Sequence, residues 1–249
     1  MAKYQSGQKI IQQRIGDLQR EIDALKSTTP LYDVVQGDTY GQCLVALRDA
    51  YGHGKAGLQP LFVKADGRSI VRPLTFEETI EGIVTAYESG NKGLLNEWND
   101  SCTGIAHKEN SSKFKVVTVS QDLICLGNNR GQRFVLVDYA GQDGTELDTS
   151  KGKYNGPLTK PEVLEHPGWL ESVRDISLLE AFRDMVFTER KTDMAMGYYV
   201  TTMNPQRERL QVLGVDDPKG GNCANDLLDL DNAARLVLVR PKQVKNANN

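Results

Sequence analysis

The chain has 249 residues, 39% of them hydrophobic and 25% charged, with a net charge of −3. It is long enough to bury a core without staples, too apolar to be disordered, and shows no basic excess of the kind that marks proteins living on nucleic-acid backbones. No run approaches the ~18 consecutive apolar residues of a membrane span, and no apolar signal-peptide core follows the first basic residues, so a cytoplasmic protein is expected. Cys43, Cys102, Cys125 and Cys223 lie far apart with no C-x-x-C pairing. That spacing favours reduced thiols packed as small apolar residues over a zinc site, and no cofactor is predicted.

From Lys9 to Lys26, Ile11, Ile15, Leu18, Ile22 and Leu25 recur at steps of four and three, the spacing of a helix with one narrow apolar seam. In heptad terms Ile15 and Ile22 fall at a, while Ile11, Leu18 and Leu25 fall at d, a pattern that favours a parallel dimer. Glu21 at g and Lys26 at the following e would pair across it. Gly16 costs about 1 kcal/mol relative to alanine, so the helix forms only when its stripe is covered. The partner is a second copy, another protein, or the chain's own body.

Pro30 ends that segment, and Leu31–Val35 reads as a strand. Asp38 is placed to cap a helix through Tyr51, with Leu44, Val45 and Leu47 facing inward and Gly52 as the stop. Gly52-His53-Gly54-Lys55-Ala56-Gly57 matches G-x-G-x-x-G, but a helix precedes it and a strand follows. Dinucleotide binding needs the reverse order, so a glycine-terminated helix and a loop are expected. Leu61–Val63 and Ser69–Val71 flank Asp66-Gly67 as a hairpin. Thr75 and Glu78 have capping-box spacing ahead of a helix burying Ile80, Ile83, Val84 and Tyr87, with Gly90 as its end. Leu94–Trp98 reads as one further helical turn.

The polar stretch 99–113 reads as a long loop. Cys102, His107 and Asp100 share it, and a thiol activated by an imidazole that a carboxylate orients is real nucleophilic chemistry. Three strands then form a meander, at 114–119, 123–126 and 133–139, with Val135-Leu136-Val137 buried on both faces. Asp138, Asp143, Glu146 and Asp148 alternate in an acidic loop. Carboxylates so placed can hold calcium or magnesium, although the twelve-residue calcium-loop spacing is not met. Asp226, Asp229 and Asp231 form a second acidic group. Lys108, Lys113, Phe114 and Lys115, with Arg130, Arg133 and Phe134, put basic and aromatic residues around the meander, as a base-stacking sheet face would.

Glycines 141, 144, 152 and 156 mark 141–157 as a polar connection. Beyond it, Thr159/Glu162 and Ser177/Glu180 have capping-box spacing, and His166-Pro167-Gly168-Trp169 makes a sharp joint. His166 reads as a capping or packing residue. Strands follow at 198–203, 209–213 and 236–239.

The expected fold is α+β: an N-terminal amphipathic helix and a largely antiparallel sheet built from hairpins, with helices packed on one side. Its parts are the helix 1–28, a first half 29–140, the connection 141–157, a second half or subdomain 158–241 and a tail 242–249. The leading functional expectation is a non-catalytic binding or assembly protein that associates with itself or another protein through the N-terminal helix. The alternative is a small-molecule enzyme built where the 99–113, 138–148 and 217–222 loops converge. RNA or single-strand binding comes third and is unlikely on charge.

Overall fold

A computed structural model describes residues 32–51, 62–65, 68–126, 133–200, 205–216, 224–225, 230 and 234–239. The seam Ile11–Leu25, the glycine run 52–57 and the acidic group Asp226, Asp229 and Asp231 lie outside the described residues.

Strand β1 (Tyr32–Gly37) leads into α1 (Tyr40–Tyr51). Thr39, not Asp38, caps that helix, its hydroxyl accepting from Gln42 N at 3.2 Å. Leu44 and Leu47 are buried while Val45 is exposed, because the buried stripe follows the 3.6-residue period and leaves position 45 outside it. The hairpin pairs β2 (Phe62–Ala65) with β3 (Arg68–Val71) in antiparallel register. The Thr75/Glu78 capping box forms: Glu78 N donates to the Thr75 hydroxyl at 3.2 Å and Thr75 N to the Glu78 carboxylate at 2.7 Å. It opens α2 (Phe76–Glu88), which buries Ile80, Ile83 and Val84. Tyr87 stays half-buried, its hydroxyl donating to Glu189 at 2.7 Å.

The expected 99–113 loop is the heart of the sheet. Asn99–His107 form β4, buried at all nine positions, and β5 (Lys113–Val117) folds back against it. Polar Asn99, Asp100, Ser101 and Thr103 disguise the strand in sequence. Their burial is tolerated because the hydroxyls are bonded: Ser101 Oγ donates to Leu213 O at 2.6 Å and Thr103 Oγ1 to Thr118 O at 2.8 Å. The expected strand 123–126 is instead a helical turn, α3 (Gln121–Ile124), capped by Ser120 Oγ accepting from Leu123 N at 3.2 Å. Of 133–139, β6 keeps Val135–Leu136 alone, and Leu136 is exposed rather than buried on both faces.

After β7 (Glu146–Asp148) and β8 (Leu158–Thr159), helices α4 (Lys160–Glu165) and α5 (Pro167–Ser172) meet at His166. The Glu162 carboxylate accepts from Thr159 N at 2.6 Å, as the spacing requires. Helix α6 (Ile176–Arg190) is capped by Asp175, whose carboxylate accepts from Ser177 N and Leu178 N and so starts the helix ahead of the Ser177/Glu180 pair. Strands β9 (Met194–Ala195), β10 (Tyr198–Tyr199), β11 (Arg209–Val215), β12 (Ala224–Asn225) and β13 (Ala234–Val239) complete the order.

Among the described residues nine strands form one mixed, mostly antiparallel sheet, ordered β1-β13-β4-β11-β12-β10, with β5, β6 and β7 branching from it. Strand β4 faces β11 along its length; on its other edge it meets β13 at Asp100 and β5 from Gly104 onward. A bulge opposite Val212–Gly214 marks where the second neighbour changes. Adjacent residues point to opposite faces, so Ile105 and Val116 join a core with α2, α4, α5 and α6, whereas Ala106 and Val117 join a second core with α1, Leu210 and Leu236.

Candidate functional site

Four strand termini meet at one end of the central sheet. Val215, closing β11, pairs with Asn99, opening β4; Gly37, closing β1, pairs with Ala234, opening β13; and Leu236 pairs with Asp100. Segments distant in sequence therefore share one rim. There Gln36, Gly37 and Asp38 from the end of β1, Glu97 and Trp98 from just before β4, and Ala234 and Arg235 from the start of β13 enclose a pocket of about 510 Å³.

Its walls follow from local geometry. A side chain on Gly37 would press its Cβ to 2.8 Å from Cys43 N, so only glycine lets β1 run this close to the first turn of α1. The Cys43 thiol points to Val35 O at 3.1 Å and Ala234 O at 3.4 Å, tying helix and strands together, and burial pushes it up to about 12. The Arg235 guanidinium pairs with the Glu97 carboxylate and is only 12% exposed. The Trp98 indole is 45% exposed on the rim. Large aromatic surface in water beside polar groups is a feature of binding sites.

Behind Arg235 lies Asp100, 5% exposed, whose Oδ2 accepts from Arg235 N at 3.3 Å. Its Oδ1 finds no hydrogen-bond partner among the described residues. Burial, with a smaller push from the charge of Asp216, raises its carboxyl to about 7. The Asn99 amide donates to Glu97 O at 3.1 Å and holds the chain that carries Trp98.

The nucleophile candidates stand elsewhere and apart. Asp100, Cys102 and His107 all lie on β4, but Cys102 and His107 are five residues apart, roughly 17 Å along an extended strand. The Cys102 thiol is fully buried and pushed up to about 11 by that burial, which outweighs the opposing pull of Arg72, 3.7 Å away. Arg72 is committed to Glu78 through two bonds of 2.7 and 2.8 Å. His107 is buried against the Phe114 ring, centroids 6.4 Å apart.

The acidic segment belongs to the opposite end of the sheet, where Lys113 pairs with Asp148 and Lys115 with Glu146 in register. That end is roughly 26 Å from Asn99, the length of β4. Of the three loops expected to converge on an enzyme site, 217–222 lies outside the described residues, 99–107 is a strand, and the acidic segment stands at the His107 end of it, away from Asn99. Three of that segment's four carboxylates have local partners. Asp148 accepts from Ser112 Oγ and Ser150 Oγ at 2.7 Å, which holds it down at about 2; Glu146 pairs with Lys113; Asp138 accepts from Ala140 N at 3.0 Å. Asp143 is exposed. Among the described residues no three metal-ligating side chains converge. Phe114, expected on a base-stacking face, is fully buried, and Arg209 covers the Phe134 ring at 5.4 Å.

The pocket escapes a linear reading because its walls come from three segments. Trp98 beside Glu97 was the one usable signal, a large aromatic residue at the mouth of a polar stretch.

Among the described residues no helix is long and apolar enough to cross a membrane. No family model and no curated protein matches the chain. One solved structure does: a C-type lectin fold that accommodates massive sequence variation in Nanoarchaeota, with a TM-score of 0.59 and 15% identity over 84% of this chain and 97% of that one. At that identity the likeness is one of fold, and the α+β fold of this chain is similar to the C-type lectin fold.

Proposed function

We propose that the chain is a non-catalytic binding protein that recognises its ligand at the Trp98 pocket. The observation that carries this is an exposed indole on the rim of a pocket walled by three segments, at the ends of β1, β4 and β13. The scaffold behind it is buried, paired strand, and Gln36, Asp38, Glu97 and Trp98 on the rim are accessible, the usual division in binding sites. A binding role is favoured over chemistry because the buried Cys102 and His107 stand apart and outside the pocket. In the Nanoarchaeota protein the same fold accommodates massive sequence variation. By analogy, the exposed Gln36, Asp38, Glu97 and Trp98 form a surface that can change while β4, β11 and the two cores stay constant.

The seam at Ile11, Ile15, Leu18, Ile22 and Leu25 enters this proposal as the assembly element. Pairing two copies would present two pockets together, and linked weak sites gain affinity through effective concentration. Replacing Ile15 and Ile22 with aspartate is expected to reduce the mass of the full chain in light scattering to that of one copy; an unchanged mass would remove the seam from the proposal. Cytoplasmic placement belongs to the same reading and rests on the free thiols of Cys43, Cys102 and Cys125.

The pocket itself is tested with the ¹⁵N-indole resonances of Trp98 and Trp169 during titration with small cationic, anionic, hydroxylated and aromatic probes. Binding at the pocket shifts Trp98 and leaves the buried Trp169 in place. If no probe class moves Trp98, the pocket is not a recognition site.

A further inference from the structure

Resting on that site, we infer that the pocket takes a cationic group, the ammonium of a lysine or the guanidinium of an arginine presented by a partner protein. Three observations converge on this chemistry. First, the accessible charge among the described lining residues is negative: Arg235, the cation among them, is 12% exposed and offset by Glu97, which leaves the exposed Asp38 carboxylate in surplus. Second, an accessible indole stands beside these carboxylates. A cation on an aromatic face, with a carboxylate to finish its hydrogen bonds, is the pairing such a wall accommodates best. Third, the group behind the pocket is a carboxyl and not a cation: Asp100 lies under the Arg235 backbone, which donates to its Oδ2 at 3.3 Å, and its Oδ1 has no hydrogen-bond partner among the described residues, so it offers an acceptor to a donor-bearing ligand and no counter-charge to an anion.

The pocket is sized for one side chain and its neighbours, and a lone exposed tryptophan is the type of residue around which protein interfaces concentrate their energy. A lysine or arginine inserted beside Trp98 would be the complementary anchor. Asp38, with no side-chain ion pair among the described residues, is the carboxylate left to receive it.

The test uses isosteric pairs on the full-length chain: Nα-acetyl-arginine amide against its citrulline counterpart, and Nα-acetyl-lysine amide against the Nε-acetylated form. A glutamate amide and a methyl glycoside serve as the other classes, and the two indole resonances are the readout. The cationic probes are expected to shift Trp98, with binding weakened about three- to tenfold in the neutral isosteres and in Asp38→Asn. The response should also decline with added salt. Trp98→Phe keeps a ring and should retain part of the affinity by fluorescence-independent calorimetry, while Trp98→Ala should lose it. Citrulline binding as well as arginine, or a preference for the glutamate amide or the glycoside, overturns the cation and leaves the pocket standing. No response of Trp98 to any probe overturns both.

Discussion

The two tryptophans divide the molecule into regions built on different terms. Trp169 is fully buried, donates its indole N–H to Met196 O at 3.0 Å, and packs against Phe76, Phe182 and Tyr198. Beside it His166 accepts from Trp169 N through Nδ1 and donates through Nε2 to Lys153 O at 3.2 Å, while its ring stacks on Tyr198. A backbone N–H can only donate and a carbonyl only accept, so these partners select one neutral tautomer. Every polar atom of the His166 ring has a partner. Around Trp98 the opposite holds: an exposed ring, an excess of carboxylates, and a buried Asp100 with one oxygen unpartnered among the described residues. One region is optimised for packing; the other keeps unfinished interactions where a ligand could complete them.

The sharpest way to break this contrast is to truncate each tryptophan. Trp169→Ala is expected to cost about 3–5 kcal/mol of stability, whereas Trp98→Ala should cost under about 1 kcal/mol, since little of its contact area lies in a core. Comparable losses in chemical denaturation would erase the distinction between the two regions.

The titrations of His166 and Asp100 oppose one another. Burial lowers His166 from 6.5 to about 4, so its contribution is full above pH 6.5 and is lost as pH falls toward 4. Burial raises Asp100 from 3.8 to about 7. The folded state then holds a proton that the unfolded chain releases, and stability falls as pH rises from about 4 to 7. Over pH 4–6.5 the two terms offset each other. His166→Asn should expose a stability that declines with pH, and Asp100→Asn one that climbs, each by at most about 1.4 kcal/mol per pH unit. Identical profiles for both variants would contradict the assignment.

Smaller effects separate the scaffold of the pocket from its rim. Gly37→Ala forces a contact with the backbone of α1 and should cost about 1–3 kcal/mol. Gln36→Ala and Asp38→Asn, on the accessible rim, should change stability by less than about 0.5 kcal/mol. Melting temperature reads both.

What was legible in the sequence was local. The Thr75/Glu78 box, the Thr159/Glu162 box, the pairing of β2 with β3 and the His166 joint all depend on residues a few positions apart, which meet without help from the rest of the fold. The α+β class followed from these. Strand β4 was hidden because Asn99–Thr103 has the composition of a loop. What makes it a strand is β11, about 110 residues later, together with hydroxyls that find carbonyls on neighbouring strands. The pocket was hidden for the same reason: Asp38, Trp98 and Arg235 become neighbours only when β1, β4 and β13 assemble.

The central claim is that recognition happens at Trp98 and not elsewhere on the described surface. It is tested most directly by titrating the full chain with an arginine-bearing peptide while both indole resonances are followed. Movement of Trp98 with Trp169 stationary is the expected result. A stationary Trp98 throughout the titration would contradict the account.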